Sequence, residues 1–237
     1  MHTLLKHTLK GQSLCLSPDR CIYWEEQKTL IVSDLHFGKT GHFRKSGIAV
    51  PQTVYKEDMQ RLVNLLQFFK PQQLIVVGDF FHSHANKELD FFLKWRADFE
   101  SLHIVLVKGN HDILKAAWYE QASITIIDEC LHLGPFAFAH DLNSCKPDQD
   151  AYLFSGHIHP GIYLSGAGRQ SLTLPCFYFT EHYAVLPAFS RFTGIALIDP
   201  DANDFVYAIA NNTLIPMHKE VKSQKSPKES SATKVKS

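Results

Sequence analysis

The chain is poor in cysteine. Its five residues of that type (Cys15, Cys21, Cys130, Cys145 and Cys176) are odd in number, scattered and never spaced as CxxC. That usage excludes a disulfide-rich scaffold, argues against a thiolate zinc site and fits a reducing cytosol, so a cytoplasmic setting is expected. Charge of either sign is not in excess, because Lys plus Arg and Asp plus Glu both number 24. No global attraction to nucleic acid or to a membrane surface follows from composition. Long apolar runs are missing too: none approaches the roughly 18 residues a membrane helix needs. The N-terminus lacks the charged, apolar and small-residue order of a signal peptide. What is present is 45% hydrophobic residues over 237 positions, enough for a sizeable core and too many for a disordered or fibrous chain. Histidine is abundant at 14 residues, which points to an imidazole-rich metal site or to proton-transfer chemistry.

Strand and helix signals alternate along the first half. Residues 4–9, 13–16 and 21–24 read as short strands around the Ser17-Pro18-Asp19 turn, and 30–32, 74–77 and 104–107 as buried strands. Tyr55, Met59, Leu62, Leu66 and Phe69 recur at three- and four-residue spacings, predicting a helix over 55–69 that Pro71 stops. A second helix with an aromatic face is expected over 87–100, with Phe80, Phe81, Phe91, Phe92 and Trp95 in the core. From residue 123 onward short strands dominate, punctuated by glycine and proline. Two sheets sharing one core, with helices outside, are expected in a single domain over 1–217. Residues 218–237 hold six lysines and two glutamates, a composition that reads either as a solvated, disordered tail or as a basic arm for a polyanion.

Polar clusters follow five of the apolar runs. Asp34-Leu35-His36 comes after 30–32, Gly78-Asp79-Phe80-Phe81-His82 after 74–77, and Gly109-Asn110-His111-Asp112 after 104–107. His140-Asp141 follows the apolar 136–139, and Gly156-His157-Ile158-His159-Pro160 follows 152–154. Ligand groups in α/β sheets gather outside the carboxyl ends of strands, so one rim is expected to collect all five clusters. So many Asp, Asn and His groups packed together would be poorly solvated and displaced from their ordinary ionisation. Divalent cations remove that difficulty, and a nitrogen and oxygen set without thiolate suits manganese, iron or zinc better than calcium. Asp112 is placed to orient a neighbouring imidazole. The stretch 38–47 carries Lys39, His42, Arg44 and Lys45 between glycines; it reads either as a phosphate-contacting, substrate-binding loop or as a solvated glycine-rich one.

In order and residue type these clusters resemble the calcineurin-like metallophosphoesterase superfamily, whose blocks run D-x-H, G-D, G-N-H-[DE], H and G-H-x-H. The resemblance covers about residues 30–160. It implies a four-layer α/β/β/α sandwich of two mixed sheets carrying two divalent metal ions, with Mn2+ first and Fe or Zn as alternatives. Carried over position by position, Asp34, His36, Asp79 and His159 would hold one metal, and Asn110, His140 and His157 the other, with Asp79 bridging. His111 matches the family's non-ligand histidine that protonates the leaving oxygen. His140 departs from the pattern in sitting in Phe-Ala-His-Asp rather than His-Gly.

The second block continues to His82 instead of the D-R of many phosphatases. That is similar to the nuclease branch, where a histidine there helps hold the scissile phosphate. The stretches Leu35-His36-Phe37-Gly38-Lys39 and Phe43-Arg44-Lys45-Ser46-Gly47 look closer still to the ligase-associated DNA-damage-response endonucleases. This resemblance implies a dinuclear phosphodiesterase acting on nucleic acid, DNA first, as a repair endonuclease associated with a DNA ligase and a helicase. The alternative is a phosphodiesterase or phosphatase for nucleotides or other small molecules.

Overall fold

The structure, a computed structural model, describes residues 3–39, 53–82, 87–147, 150–166 and 170–217. Its first half builds one sheet from β1 (Leu5–Leu9), β2 (Gln12–Ser17), β3 (Cys21–Trp24), β4 (Thr29–Val32), β5 (Gln73–Val77), β6 (His103–Val107) and β7 (Ile124–Ile127), hydrogen-bonded in that order. The pairs from β1 to β4 are antiparallel and those from β4 to β7 parallel. Short β-branched runs such as Leu74-Ile75-Val76-Val77 suit the parallel half, whose strands are covered on both faces.

Helix α1 (Thr53–Phe69) turns Leu62, Leu65 and Leu66 into the core. It stops at Lys70, whose positive φ of 47° turns the chain out of the helix, and Pro71 cannot continue it. Helix α2 (Lys87–Ala97) buries Leu89 and Phe92 and ends three residues short of the expected boundary. Phe80 and Phe81 are buried as expected, but Phe91 is exposed beneath Lys94. A six-residue helix, α3 (Ala116–Gln121), was not legible in the sequence. All three pack on the outer face of the first sheet, in one cluster with Leu30, Val32 and Leu74.

The second sheet holds nine strands among the described residues. Its main path runs β14 (Ala196–Leu197), β11 (Pro160–Ser165), β12 (Ser171–Phe179), β13 (Tyr183–Val185), β10 (Tyr152–Ser155), β9 (Phe136–Ala139) and β8 (Leu131–Leu133), while β15 (Phe205–Ala210) pairs with β12 and with β16 (Thr213–Met217). Strand β10 lies parallel to both β9 and β13, so this sheet is mixed like the first. The two sheets meet face to face over Trp24, Ile31, Ile75, Val105, Phe136, Phe138, Phe154 and Phe179. On β9 the alternate residues Ala137 and Ala139 face outward and are covered by Leu153 and Cys145. This is the α/β sandwich of two mixed sheets read from the sequence.

Cys130 and Cys145 form a disulfide across 15 residues, a single bond that the scattered spacing did not suggest and that makes no disulfide-rich scaffold; Cys15, Cys21 and Cys176 are free. The 218–237 tail lies outside the described residues. No helix among the described residues is long and apolar enough to cross a membrane.

Candidate active site

Both sheets direct strand ends to one place. Beyond β4 and β5 the two departing chains go on holding each other. The Asp34 amide donates to the Gly78 carbonyl at 3.1 Å, His36 to Asp79 at 2.9 Å, Phe37 to Phe80 at 2.9 Å, and His82 back to Phe37 at 2.8 Å. Phe37, Phe80 and Phe81 are buried in the helical layer and anchor this extension. From the second sheet, the Gly156 amide donates to the His140 carbonyl at 3.1 Å and the Ser155 hydroxyl to the same oxygen at 2.7 Å. The His157 amide reaches across to Asp34 Oδ2 at 3.1 Å and joins the two sheets at the site.

The backbone here occupies a region that L-residues avoid. Asp34, His36, Asp79, His157 and His159 have φ values of 54°, 51°, 51°, 66° and 54°. Each costs on the order of 1 kcal/mol in sterics. Left-handed residues at i and i+2 bring the side chains of Asp34 and His36, and of His157 and His159, to the same centre after the pleat has ended. Close approach requires glycine at several positions here. A Cβ on Gly78 would run into the His140 ring, and one on Gly109 into the Asp79 carboxylate.

Two adjoining lobes result. In one, Asp34 Oδ1 lies 3.1 Å from His159 Nε2 and 4.0 Å from His36 Nε2, and the His36 and His159 Nε2 atoms are 3.5 Å apart. In the other, His140 Nε2 lies 3.2 Å from Asn110 Oδ1 and 3.1 Å from His157 Nδ1. Asp79 stands between them, with Oδ2 facing His36 at 3.9 Å and Oδ1 facing His140 at 3.5 Å. The seven side chains expected as ligands therefore converge, including His140 with its divergent context. Asp34, His36, Asp79 and His140 form a buried floor, and Asn110 and His157 an exposed rim.

The electrostatics suit cations. Burial pushes the Asp34 carboxyl up, but the His159 imidazole, with help from His140 and Ser33, outweighs it and holds Asp34 below the usual carboxylate range. Burial drives His36 down to about 2, so it is a neutral imidazole with a lone pair to give. Its buried Nδ1 has no hydrogen-bond partner, Asp79 at 3.9 Å being too distant for one. A buried ring nitrogen without a hydrogen-bond partner, two buried carboxylates and three further imidazoles suit a divalent metal pair, so the residues fit the group.

Around this floor lie the other expected residues. His111 is partly exposed, with Nε2 3.9 Å from Asp79 Oδ2 and its amide donating to Asp79 Oδ1 at 2.9 Å. The His82 ring lies 4.1 Å from that of His111 and 5.3 Å from that of His36. Lys39 is half-buried; burial lowers its ammonium and the charges of Asp79 and Asp34 oppose that. Arg44 and Lys45 lie outside the described residues.

Asp112 does something other than orient an imidazole. Fully buried, it accepts from the Phe81 amide at 3.0 Å and the Gly109 amide at 2.9 Å, clasping the loops after β5 and β6 together. Burial pushes its carboxyl up to about 6 despite those two bonds. Ser33, whose hydroxyl contacts Asp34 Oδ2 and the Val77 carbonyl, and Ser155 were not found from sequence. Serine at a strand end carries no distinguishing signal.

The calcineurin-like phosphoesterase family matches residues 27–169. Among solved structures, the nuclease MPE of Pseudomonas putida is 32% identical, with a TM-score of 0.77 over 91% of this chain and 100% of that one. Yfce, a phosphoesterase from E. coli, is 12% identical, with a TM-score of 0.43 over 79% of this chain and 96% of that one. No curated protein matches the sequence.

The clasp is testable. Asp112→Asn keeps the shape but can accept only one of the two amide bonds, turning an NH2 toward the other donor. It is expected to cost about 1–3 kcal/mol in urea unfolding, whereas a change below about 0.5 kcal/mol, the range of neutral surface substitutions, contradicts the role.

Proposed function

Because the chain belongs to the calcineurin-like phosphoesterase family, we propose that this hydrolase is a dinuclear phosphodiesterase whose substrate is nucleic acid, DNA first, cleaved internally. The observation that carries the reading is the Asp79 carboxylate set between two lobes of nitrogen and oxygen ligands. Asp34, His36 and His159 would hold one divalent cation, Asn110, His140 and His157 the other, and Asp79 both. Manganese is the first choice, with iron or zinc as alternatives. When bound, such a pair lowers the pKa of a water and neutralises the oxygens of a phosphoryl group undergoing in-line displacement.

The chain's own residues supply the rest. His111, partly exposed beside Asp79, would give a proton to the departing oxygen. His82, packed against His111, would donate to a non-bridging phosphate oxygen and hold it in line. Lys39 adds a positive charge at the edge of the floor, and Arg44 and Lys45 would extend it along a backbone. Support for nucleic acid over a small ester comes from the likeness to a nuclease at 32% identity across nearly the whole of both chains. A repair setting, a cytoplasmic location and association with a DNA ligase and a helicase belong to the same proposal. So does the division into one domain over 1–217 and a basic tail.

Substrate class is read by crossing metals with substrates: closed circular DNA, a bis-aryl phosphodiester and an aryl monoester, each with Mn2+, Zn2+ or Mg2+. Nicking or linearisation of the circle with Mn2+, with the diester ahead of the monoester, is expected. Hydrolysis of free esters alone would return the small-molecule reading. His111→Ala should lower turnover on DNA on the order of 10²–10⁴-fold, and far less on the aryl diester, whose leaving oxygen hardly needs a proton. Equal losses on both exclude His111 as the proton donor.

A further inference from the structure

A second set of ligating side chains lies away from the site just described, on the outer face of the second sheet. Cys130 immediately precedes β8 and His132 is its middle residue, and their side chains meet on one side of the sheet. His132 stands opposite Ala137, whose small side chain leaves room above the sheet. Cys145 folds back over this face, packed with Ala137, Ala139 and Leu153. Cys130 Sγ lies 3.4 Å from His132 Nε2. One donor atom from each of the three residues lies within 4.8 Å of the others.

We propose that in the reduced protein Cys130, His132 and Cys145 form a binding site for a thiophilic divalent cation of the zinc class, mutually exclusive with the disulfide. In a tetrahedral zinc site, Zn–S bonds of about 2.3 Å and Zn–N bonds of about 2.0–2.1 Å put sulfur and nitrogen about 3.5 Å apart. The Cys130 to His132 spacing already meets that. Two thiolates and a neutral imidazole balance the cation's charge and leave one position for water. The donor set also differs in kind from the floor around Asp79, because thiolate selects soft metals while carboxylate, amide and imidazole accept manganese.

The chemistry closes. A dithiol reductant of the thioredoxin class delivers two electrons and two protons to the S–S bond, leaving two thiols here and a disulfide on the reductant. Cation binding then releases both thiol protons to solvent. Disulfide and metal each pin the 141–145 segment, which runs directly out of His140; only the reduced, metal-free form frees it.

Co2+ gives a readout that the oxygen-rich site cannot imitate, a sulfur-to-metal charge-transfer band. The full chain is reduced with a phosphine, loaded with excess Mn2+ and then titrated with Co2+. One equivalent is expected to develop the band together with tetrahedral d–d absorption, and one equivalent of Zn2+ to abolish both. The oxidised protein, Cys130→Ser and Cys145→Ser should show no band, and His132→Ala should bind Co2+ at least tenfold more weakly. Absence of the band in protein whose Cys130 and Cys145 are shown by alkylation to be free overturns the proposal. Its persistence in Cys130→Ser does so too, by assigning it to other thiols. Neither outcome touches the reading of the Asp79 site, whose donors include no sulfur.

Discussion

Burial of two carboxylates among imidazoles is the constraint on which the rest of the structure depends. Asp34 and Asp79 are nearly inaccessible to water, and their oxygens lie within 4.8 Å of one another and of a His140 nitrogen. Such an arrangement is costly unless cations or hydrogen-bond donors answer it. The chain supplies some of the answer itself: the amides of His111 and His157 donate to these carboxylates, and His159 and Ser33 support Asp34. A divalent pair would supply the rest. The five left-handed Asp and His residues and the glycines that make room for His140 and Asp79 are the local cost of holding the centre open to such a pair.

The sandwich makes that cost bearable by keeping everything around it rigid. Stacked and edge-on aromatics (Phe136, Phe138, Phe154 and Phe179) fill the space between the sheets. The helical layer locks Phe37, Phe80 and Phe81 directly behind the first two ligand loops. Asp112 then fastens the third loop to the second. Each of these side chains therefore sits within a short step of the end of a strand whose register is fixed by buried pairing. This is how seven residues spread from 34 to 159 meet within a few ångströms.

Much of this was legible before any coordinates. Apolar runs of three or four residues closing on Asp, Asn or His announce strand ends at a rim, and all five such runs end at the centre. What was not legible is mostly short or non-local. Helix α3 has six residues, and Lys115 before it provides no side-chain cap, so neither periodicity nor a start signal marks it. The Cys130–Cys145 pairing depends on how β8 and the segment after β9 overlie one face, which spacing along the chain does not encode. Asp112 was misread because its neighbour in sequence is a histidine, while its partners in space are two backbone amides. Phe91 follows the composition of a core helix but falls on its solvent face.

The central claim is that Asp79 joins two metal positions in one site. Diffraction from crystals grown with Mn2+, with data collected on both sides of the manganese absorption edge, tests it most directly. Two anomalous peaks about 3.5–4 Å apart, one on each side of the Asp79 carboxylate, are predicted. A single peak, or manganese bound elsewhere with that carboxylate bare, would contradict the account.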